Sequence, residues 1–450
     1  MKSAAERIDA LMQIHPKGFD LSLDRIRGLL EKLSNPQDKI PPVIHVAGTN
    51  GKGSTIAFCR GILEAAGLAV HVHTSPHLVN WNERYRIGRK NAPGQLADDA
   101  VLSEAIRRVA DANDGKPITV FEILSAVMFV LFSEHPADVC LIEVGLGGRF
   151  DATNVVADPA VTIITPVSLD HEAYLGDTLA KIAFEKAGII KHKVPLICGP
   201  QGDEASDVII RQAARHKAPM QIAGQDFTGH REEGRMVWQS DNRMIDLPVP
   251  RLPGAHQIEN SANAVAACLA FCASRNLTLD DETIAEGVTS ANWPGRMQSL
   301  THGKLFDILP KDTEVWLDGG HNPGAAKMIF DFLQQLEANQ AKPLTMICGM
   351  LTTKDPSGYF DALLPLRPKV ITVPIVSSDA GFSARDLEEH ARASDLDAQS
   401  ANSLTEALGL FANTNNHNNR IESPYSSRLL ISGSLYLVGD VLDQNGTPPM

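Results

Sequence analysis

The stretch Val43-Ile44-His45-Val46-Ala47-Gly48-Thr49-Asn50-Gly51-Lys52-Gly53-Ser54-Thr55 limits what this chain can fold into more than any other. A short apolar run ends in a glycine-rich turn with one lysine. A helical pattern then runs from Ile56 to Ala66. That order is strand, loop, helix. Backbone N–H groups in such a turn point inward at anionic oxygens, and the helix N-terminus adds partial positive charge. Lys52 would reach the outer phosphates of a nucleotide, and Ser54 or Thr55 would sit near the phosphates and Mg²⁺. The strict pattern is G-x-x-x-x-G-K-[ST]. Here the spacing before the Gly-Lys pair is shorter and one residue is added after it, so the match is a variant. The competing reading is an ordinary tight strand-to-helix turn.

A chain of 450 residues exceeds one ordinary core, which predicts two or three domains. Apolar residues make up 43% and charged residues 21%, the balance of a soluble globular protein. Net charge is −13 and no Lys/Arg block stands out, which argues against nucleic acid or an anionic membrane as partner. The six cysteines, Cys59, Cys140, Cys198, Cys268, Cys272 and Cys348, form no C-x-x-C pair, and most sit in apolar runs. Reduced, buried thiols suit the cytoplasm. The N-terminus lacks the apolar core of a signal peptide, and the longest apolar run, 126–132, is too short to span a bilayer.

Residues 4–14 and 20–33 read as amphipathic helices separated by His15-Pro16-Lys17-Gly18-Phe19. A strand at 69–74 is followed by the polar loop Ser75 to Arg86, and loops directly after strands carry function in α/β sheets. Helices are expected at 99–112 and 121–134. The strand 138–145 carries Glu143 at its C-terminal end, ahead of Gly145-Leu146-Gly147-Gly148-Arg149-Phe150-Asp151-Ala152-Thr153-Asn154. A carboxylate there, with a phosphate loop upstream, is placed to bind Mg²⁺; the plainer role is a turn or helix cap. The strand 160–165 leads to Leu169-Asp170-His171. A helix in 182–191 ends at Gly188. Further expectations are a strand at 194–198, a helix at 203–217, a hairpin at 235–249 turning at Asp241-Asn242, and an alanine-rich helix from about 255 to 274. Trp293-Pro294-Gly295-Arg296 breaks the pattern, which divides the chain into domains 1–298 and 299–450. The second domain alternates strands at 314–317, 343–348, 369–373 and 428–432 with helices at 325–338, 383–394 and 403–411 and a last helix after Ser434. Asn413 to Ser426 reads as a polar mobile loop. The alternation predicts an α/β fold, a mostly parallel sheet with helices on both faces.

Nine stretches together resemble one family. They are His15-Pro16-Lys17-Gly18, Gly48 to Thr55, Thr74-Ser75-Pro76-His77, Glu143 to Asn154, Leu169-Asp170-His171, Glu185-Lys186-Ala187-Gly188-Ile189-Ile190, Trp293-Pro294-Gly295-Arg296, Asp318 to Pro323, and Ser432-Gly433-Ser434. In that order they resemble the folylpolyglutamate synthases of bacterial type that often also act as dihydrofolate synthases, within the Mur ligase superfamily. The resemblance implies a Mur-ligase-like N-terminal P-loop ATPase domain plus a smaller C-terminal Rossmann-like α/β domain. It implies ATP-dependent acid–amide ligation through an acyl phosphate, shielded from water as a cleft closes between domains.

The family pattern places the triphosphate on Thr49, Asn50, Gly51, Lys52, Gly53 and Ser54. It places one Mg²⁺ on Ser75 and Glu143, and a second on His171 with help from Lys186, fifteen residues further on. In relatives the matching lysine is often carbamylated; a plain ammonium would instead pair Glu185 or a phosphate and repel Mg²⁺. Asn260, Arg296 and Asp318 match ATP contacts. His321 matches a residue that reaches the γ-phosphate or the incoming glutamate; its plainer role is to cap the helix that Asn322-Pro323 opens. Arg84 and Ser434 match residues that hold that glutamate; without the motif Arg84 reads as a solvated loop arginine. Asp151 matches the pterin site of bifunctional members, and Phe121 would supply its wall. The implied partners are dihydropteroate, reduced folates and L-glutamate, acting on a monomer, with a monovalent cation as a further allowed cofactor. The sequence departs from the family at Gly319-Gly320 and Thr352-Thr353-Lys354-Asp355, which bears on contacts to the adenosine. Three other readings are open: a monofunctional folylpolyglutamate or dihydrofolate synthase, a Mur-type ligase acting on a UDP-linked peptide, and a nucleotide-dependent switch. No UDP-binding domain precedes the phosphate loop, and the Asn-Lys-x-Asp signal of switch GTPases is absent.

Overall fold

Strands β1 (Val43–Ala47), β2 (Val70–His73), β5 (Val139–Glu143) and β6 (Val161–Ile164) are buried at every position. Runs without a solvent-exposed face are what a parallel sheet covered on both sides requires. In the computed structural model, which describes residues 2–15, 22–418 and 427–450, they form the centre of an eight-stranded sheet. The remaining strands of this sheet are β3 (Tyr85–Arg89), β4 (Ala92–Leu96), β7 (Leu196–Cys198) and β8 (Met220–Ile222). The spatial order is β4-β3-β2-β5-β1-β6-β7-β8, parallel except for the β3–β4 hairpin. β1 therefore lies between β5 and β6. Val46 is level with Glu143, and Ala47 with Ile164. The loops after these three strands thus emerge side by side at the carboxyl edge, where ligands bind in such sheets.

Residues to Arg251, with Gln257–Asn292 and Met450, form one compact unit. One face of its sheet carries helices Ala4–Ile14, Asp24–Lys32, Asp99–Asn113 and Val120–Glu134, whose apolar residues share a core with Val43, Cys140 and Ile142. Helix Lys52–Ala65 packs on β1, β2 and β5 and against helix Asp281–Ser290. That helix pair approaches closely through two glycines. A Cβ on Gly61 would lie 2.4 Å from the Gly287 carbonyl oxygen, and one on Gly287 would lie 2.3 Å from Ile62 Cα. β9 (Phe227–Glu232), β10 (Arg235–Ser240) and β11 (Arg243–Leu247) add a three-stranded antiparallel sheet.

The second unit, Leu252–His256 with Trp293–Pro449, holds a six-stranded sheet. Its strands are β12 (Gln298–Leu300), β13 (Glu314–Leu317), β14 (Leu344–Cys348), β15 (Lys369–Thr372), β16 (Ala398–Ser400) and β17 (Arg428–Ser432). The order is β12-β13-β17-β14-β15-β16, parallel except for β12. Helices Pro323–Asn339, Pro356–Leu363 and Ala384–Ala393 pack over it through Ile329, Leu333, Phe360 and Leu387.

Most elements lie where the sequence periodicity puts them, and the differences have physical causes. The unit boundary falls at Asn292/Trp293 rather than at 298, because β12 pairs with β13 and the Met297 N–H donates to Asp318. Tyr85 and Arg86 open β3 rather than closing a loop, because Tyr85 is fully buried and donates to the Leu124 carbonyl. The first helix after β1 starts at Lys52, not Ile56, with Gly51 in the left-handed region as its cap. Helix Leu404–Asn418 runs into the stretch expected to be a loop. Asp20 and Leu21 of the expected second helix, Pro16–Gly18 of the family stretch and residues 419–426 of the expected loop lie outside the described residues. All six cysteines are unpaired and buried. Among the described residues no helix is long and apolar enough to cross a membrane.

The glycine contact between Gly61 and Gly287 yields a test. Gly287→Ala forces a methyl into the backbone of the helix that carries the lysine loop. It is expected to destabilise the chain by about 1–3 kcal/mol and to lower the thermal unfolding midpoint by several degrees, read by calorimetry.

Candidate active site

The loop after β1 is held by glycines at two points of contact. Gly48 has φ +148°, and a Cβ there would sit 1.8 Å from Thr165 Oγ1. Gly51 has φ +91°, and a Cβ there would sit 2.5 Å from Asn260 Oδ1. Asn260 is buried and donates Nδ2 to Gln257 Oε1 at 3.0 Å, which fixes the amide beside the loop. The N–H groups of Thr49 and Asn50 both donate to the Pro166 carbonyl, at 3.0 and 3.3 Å. The Thr49 hydroxyl donates to the Ser168 carbonyl and accepts the Ser168 N–H, each at 3.1 Å, and Asn50 Nδ2 donates to Ser168 Oγ at 3.2 Å. Thr49 and Asn50 are thus tied to the segment after β6. The N–H groups of Lys52, Gly53 and Ser54 belong to the first helical turn and have no carbonyl within the helix to pair with. Lys52 Nζ donates to the carbonyls of Gly48, at 3.1 Å, and Thr49, at 3.2 Å.

Lys186, buried at the end of helix Leu179–Lys186, sends its Nζ to the same Gly48 carbonyl at 2.9 Å. Its placement follows from two close approaches. A Cβ on Gly148 would lie 2.9 Å from the carbonyl oxygens of both Glu185 and Lys186, and one on Gly188 would lie 2.3 Å from Arg149 Cα. The Arg149 N–H donates to the Glu185 carbonyl at 2.7 Å, and Asn154 Nδ2 donates to the carbonyls of Arg149 and Gly188. Two glycine-bearing stretches distant in sequence therefore clasp each other and aim the lysine at the loop.

Glu143, buried at the end of β5, accepts the Ser75 N–H on Oε2 at 3.2 Å. His171 is half-buried, with φ +55°. Its N–H donates to Asp170 Oδ1 at 2.8 Å, and its Nε2 stands 3.9 Å from that same oxygen. Among the described residues no three His, Cys, Asp or Glu side chains gather around one point. A divalent ion held by Ser75 and Glu143, or by His171, would draw the rest of its shell from phosphate oxygens and water. That is the ordinary way of binding Mg²⁺.

Phe121 lies in the first turn of helix Val120–Glu134, and its ring lies against Gly145, where a Cβ would be 2.3 Å from Cζ. Asp151 is buried and caps a short 3-10 turn. Its Oδ2 accepts the Leu146 N–H at 2.9 Å; its Oδ1 accepts the Thr153 N–H at 3.0 Å and the Thr153 hydroxyl. Burial raises its pKa above the ordinary carboxylate value, against the lowering by these donors. Arg84 is not a solvated loop arginine but is buried. It donates Nε to His77 Nδ1 at 3.0 Å and lies 4.9 Å from the centre of the Trp81 ring. Burial and the Arg84 charge pull the His77 pKa down to about 3, so the imidazole is neutral and accepts from the guanidinium. His77 and Trp81 belong to this cluster although neither was expected as a site residue, His77 entering only as part of the family stretch 74–77. Their signal was the short distance to Arg84 along one loop.

In the second unit, Asp318 is buried and accepts the Met297 N–H on Oδ2 at 2.8 Å and the Gly320 N–H on Oδ1 at 2.7 Å. Burial raises its pKa while the Arg296 charge opposes. Gly319 has a local cause. A Cβ there would lie 2.3 Å from Leu435 Cδ2 and 2.9 Å from Arg296 Nη1, both side-chain ends, so a larger residue would have to displace them. Arg296 Nη1 bonds the Gly295 carbonyl at 3.1 Å, and His321 Nδ1 bonds the Gly319 carbonyl at 2.9 Å. The cap of helix Pro323–Asn339 is Asn322, not His321. Ser434 is buried and caps helix Leu435–Asn445 through the Tyr436 N–H.

Residues 46–268 match the model of the Mur ligase middle domain, and residues 302–444 that of the dihydrofolate synthetase C-terminal domain. The chain is 32% identical to a dihydrofolate synthase/folylpolyglutamate synthase of Bacillus subtilis (strain 168), over 96% of this chain and 97% of the relative. An E. coli FolC structure in complex with DHPP and ADP superposes with a TM-score of 0.81 at 29% identity, covering 98% of this chain and 97% of that one. The bifunctional folylpolyglutamate synthase/dihydrofolate synthase of Yersinia pestis, complexed with AMPPNP and Mn ion, gives a TM-score of 0.82 at 29% identity, covering 98% of each chain.

The contact at Gly48 predicts how the loop fails. Gly48→Ala drives the loop away from Thr165 and moves the carbonyl that both lysines share. Affinity for a non-hydrolysable ATP analogue is expected to fall roughly tenfold or more, a shift of at least about 1.4 kcal/mol, read by calorimetric titration.

Proposed function

The chain belongs to the dihydrofolate synthase/folylpolyglutamate synthase family of Mur-type ligases, and from that premise we propose that it is an ATP-dependent ligase. It adds L-glutamate to 7,8-dihydropteroate and to the γ-carboxylate of reduced folates. The observation that carries this reading is the convergence of Lys52 and Lys186 on the Gly48 carbonyl, with Glu143 on the neighbouring strand level with Val46, two residues before Gly48. A glycine loop with two cations and a carboxylate at a sheet's carboxyl edge is equipped for a nucleotide triphosphate and its metal.

The substrate carboxylate attacks the γ-phosphorus and the P–O bond to ADP breaks, leaving an acyl phosphate. The amine of glutamate then attacks the acyl carbon, loses a proton, and expels inorganic phosphate. A divalent metal, when bound, neutralises charge on the phosphate oxygens; Ser75 and Glu143 would hold one ion and His171 a second. Lys52 and the first-turn amides of Lys52, Gly53 and Ser54 bind the triphosphate and stabilise the charge that moves onto the leaving ADP. Thr49 and Asn50 act by bracing the loop against Pro166 and Ser168. Asn260 sets Gly51 in place. Carbamylation of Lys186 would convert a cation beside the loop into an anion facing the second metal. Phe121 and Asp151 serve the pterin. Arg84, held by neutral His77 and by Trp81, is assigned to a carboxylate of the incoming glutamate, and so is Ser434. Arg296 and Asp318 serve the nucleotide, and His321 the γ-phosphate or the glutamate. We read the chain as a cytoplasmic monomer that acts on small molecules; the unpaired, buried cysteines suit that compartment.

The deciding experiment is product mass spectrometry with ATP, Mg²⁺ and L-glutamate, run once with 7,8-dihydropteroate and once with a reduced folate. Glutamate added to both establishes the bifunctional ligase. Addition to one alone leaves the corresponding monofunctional enzyme, and addition to neither overturns the reading. Lys52→Ala is expected to lower product formation by roughly a hundredfold or more with an unchanged far-UV spectrum. His171→Ala is expected to move the Mg²⁺ dependence of the rate to higher concentration; a superimposable Mg²⁺ titration removes His171 from the metal site.

A further inference from the structure

His45 is a histidine where β1 otherwise holds Val43, Ile44, Val46 and Ala47, and it is wholly buried. Burial, with a smaller effect of the Lys191 charge, pulls its pKa down to about 3, so the ring is neutral and carries one N–H. His45 Nε2 lies 2.9 Å from Thr153 Oγ1. The Thr153 hydroxyl gives its proton to Asp151 Oδ1, so its lone pair takes the His45 Nε2–H. His45 Nδ1 is left as a buried acceptor with no partner among the described residues. Leaving such an atom unpaired destabilises the fold, and a valine or leucine at this place in the strand would avoid it. The imidazole is therefore present for its single N–H, and that N–H ends on a chain leading to Asp151.

We propose that His45 and Thr153 are positioning residues for the Asp151 carboxylate and hence for recognition of the dihydropteroate acceptor. This rests on the reading above that Asp151 lies at the pterin site. The Asp151 carboxylate is gripped from two sides. Leu146 holds Oδ2 through its N–H, one residue beyond the Gly145 on which the Phe121 ring lies. Thr153 holds Oδ1 through N–H and hydroxyl, and His45 holds the hydroxyl. Aromatic wall and carboxylate are thus set by one turn, and His45 locks that turn to the central strand whose next loop binds the phosphates. Chained hydrogen bonds polarise one another in a buried site, so the donor from His45 strengthens the grip on Asp151.

The test compares kcat and KM for 7,8-dihydropteroate and for a reduced folate in Asp151→Asn, Thr153→Val, Thr153→Ser, His45→Leu and His45→Gln. His45→Leu and Thr153→Val are each expected to raise KM for dihydropteroate about fivefold, lowering the ratio of kcat/KM for dihydropteroate to that for folate, with a smaller change in kcat. Thr153→Ser keeps the hydroxyl and His45→Gln keeps a donor, so both are expected to recover most of that ratio. If Asp151→Asn shifts the ratio while His45→Leu and Thr153→Val do not, the positioning role is overturned and the pterin-site reading stands. If Asp151→Asn leaves the ratio unchanged, the pterin-site reading itself falls. Equal losses toward both acceptors in all variants, or failure of His45→Leu and Thr153→Val to fold with no recovery in the conservative pair, make the chain purely structural and overturn the proposal.

Discussion

Two ammonium groups share one carbonyl oxygen. Lys52 and Lys186 both donate to Gly48, at 3.1 and 2.9 Å, so their charges lie within the span of two hydrogen bonds. At an effective dielectric constant near 20 such a pair repels by about 3 kcal/mol. Negative charge brought close to the pair offsets this repulsion. Gly48 can stand there only without a side chain, Lys186 reaches it only because Gly148 and Gly188 let two backbones touch, and Thr165 closes the far side. Loading the loop with triphosphate, or making Lys186 an anion, would relieve the same repulsion. Ligand binding and loop stability are consequently one thermodynamic quantity.

The strength of this centre depends on the helix that continues from it. Helix Lys52–Ala65 is fixed at its C-terminal half by the glycine contact with helix Asp281–Ser290, where there is no room for a methyl group. The loop therefore keeps its first-turn amides in place without needing the ligand to order them. Preorganised donors of this kind reorganise little as charge develops, which is how electrostatic catalysis gains most.

The sequence showed the parts whose chemistry is local. Lys52 beside glycines, Glu143 ending an apolar run, and the alternation of strand and helix were all readable, because period and turn chemistry act over a few residues. Less readable was whatever depends on partners far away in the chain. Nothing near Thr49 and Asn50 says that their amides are occupied by Pro166. Arg84 is the local exception: His77 and Trp81 precede it in the same loop, yet polar residues in a loop do not announce that the arginine is buried. Tyr85 and Arg86 looked like loop because arginines punctuate them, although a fully buried tyrosine anchors the strand. The close neighbour of Gly319 is Leu435, more than a hundred residues later.

The hairpin β3–β4 also has a bearing on how the protein behaves at high concentration. β4 is the outermost strand of the large sheet, and an outermost strand offers its backbone to any other chain with an unpaired edge. Here Pro93 has no N–H to offer. Its carbonyl is covered by Arg89 Nε at 3.0 Å, the Gly94 carbonyl by Arg86 Nη1 at 2.6 Å, and the Gly94 N–H by Glu64 Oε1 at 2.8 Å. Side chains have taken the places a foreign strand would use. Arg86, read from sequence as part of a loop, is one of the residues that make this edge a poor template for aggregation.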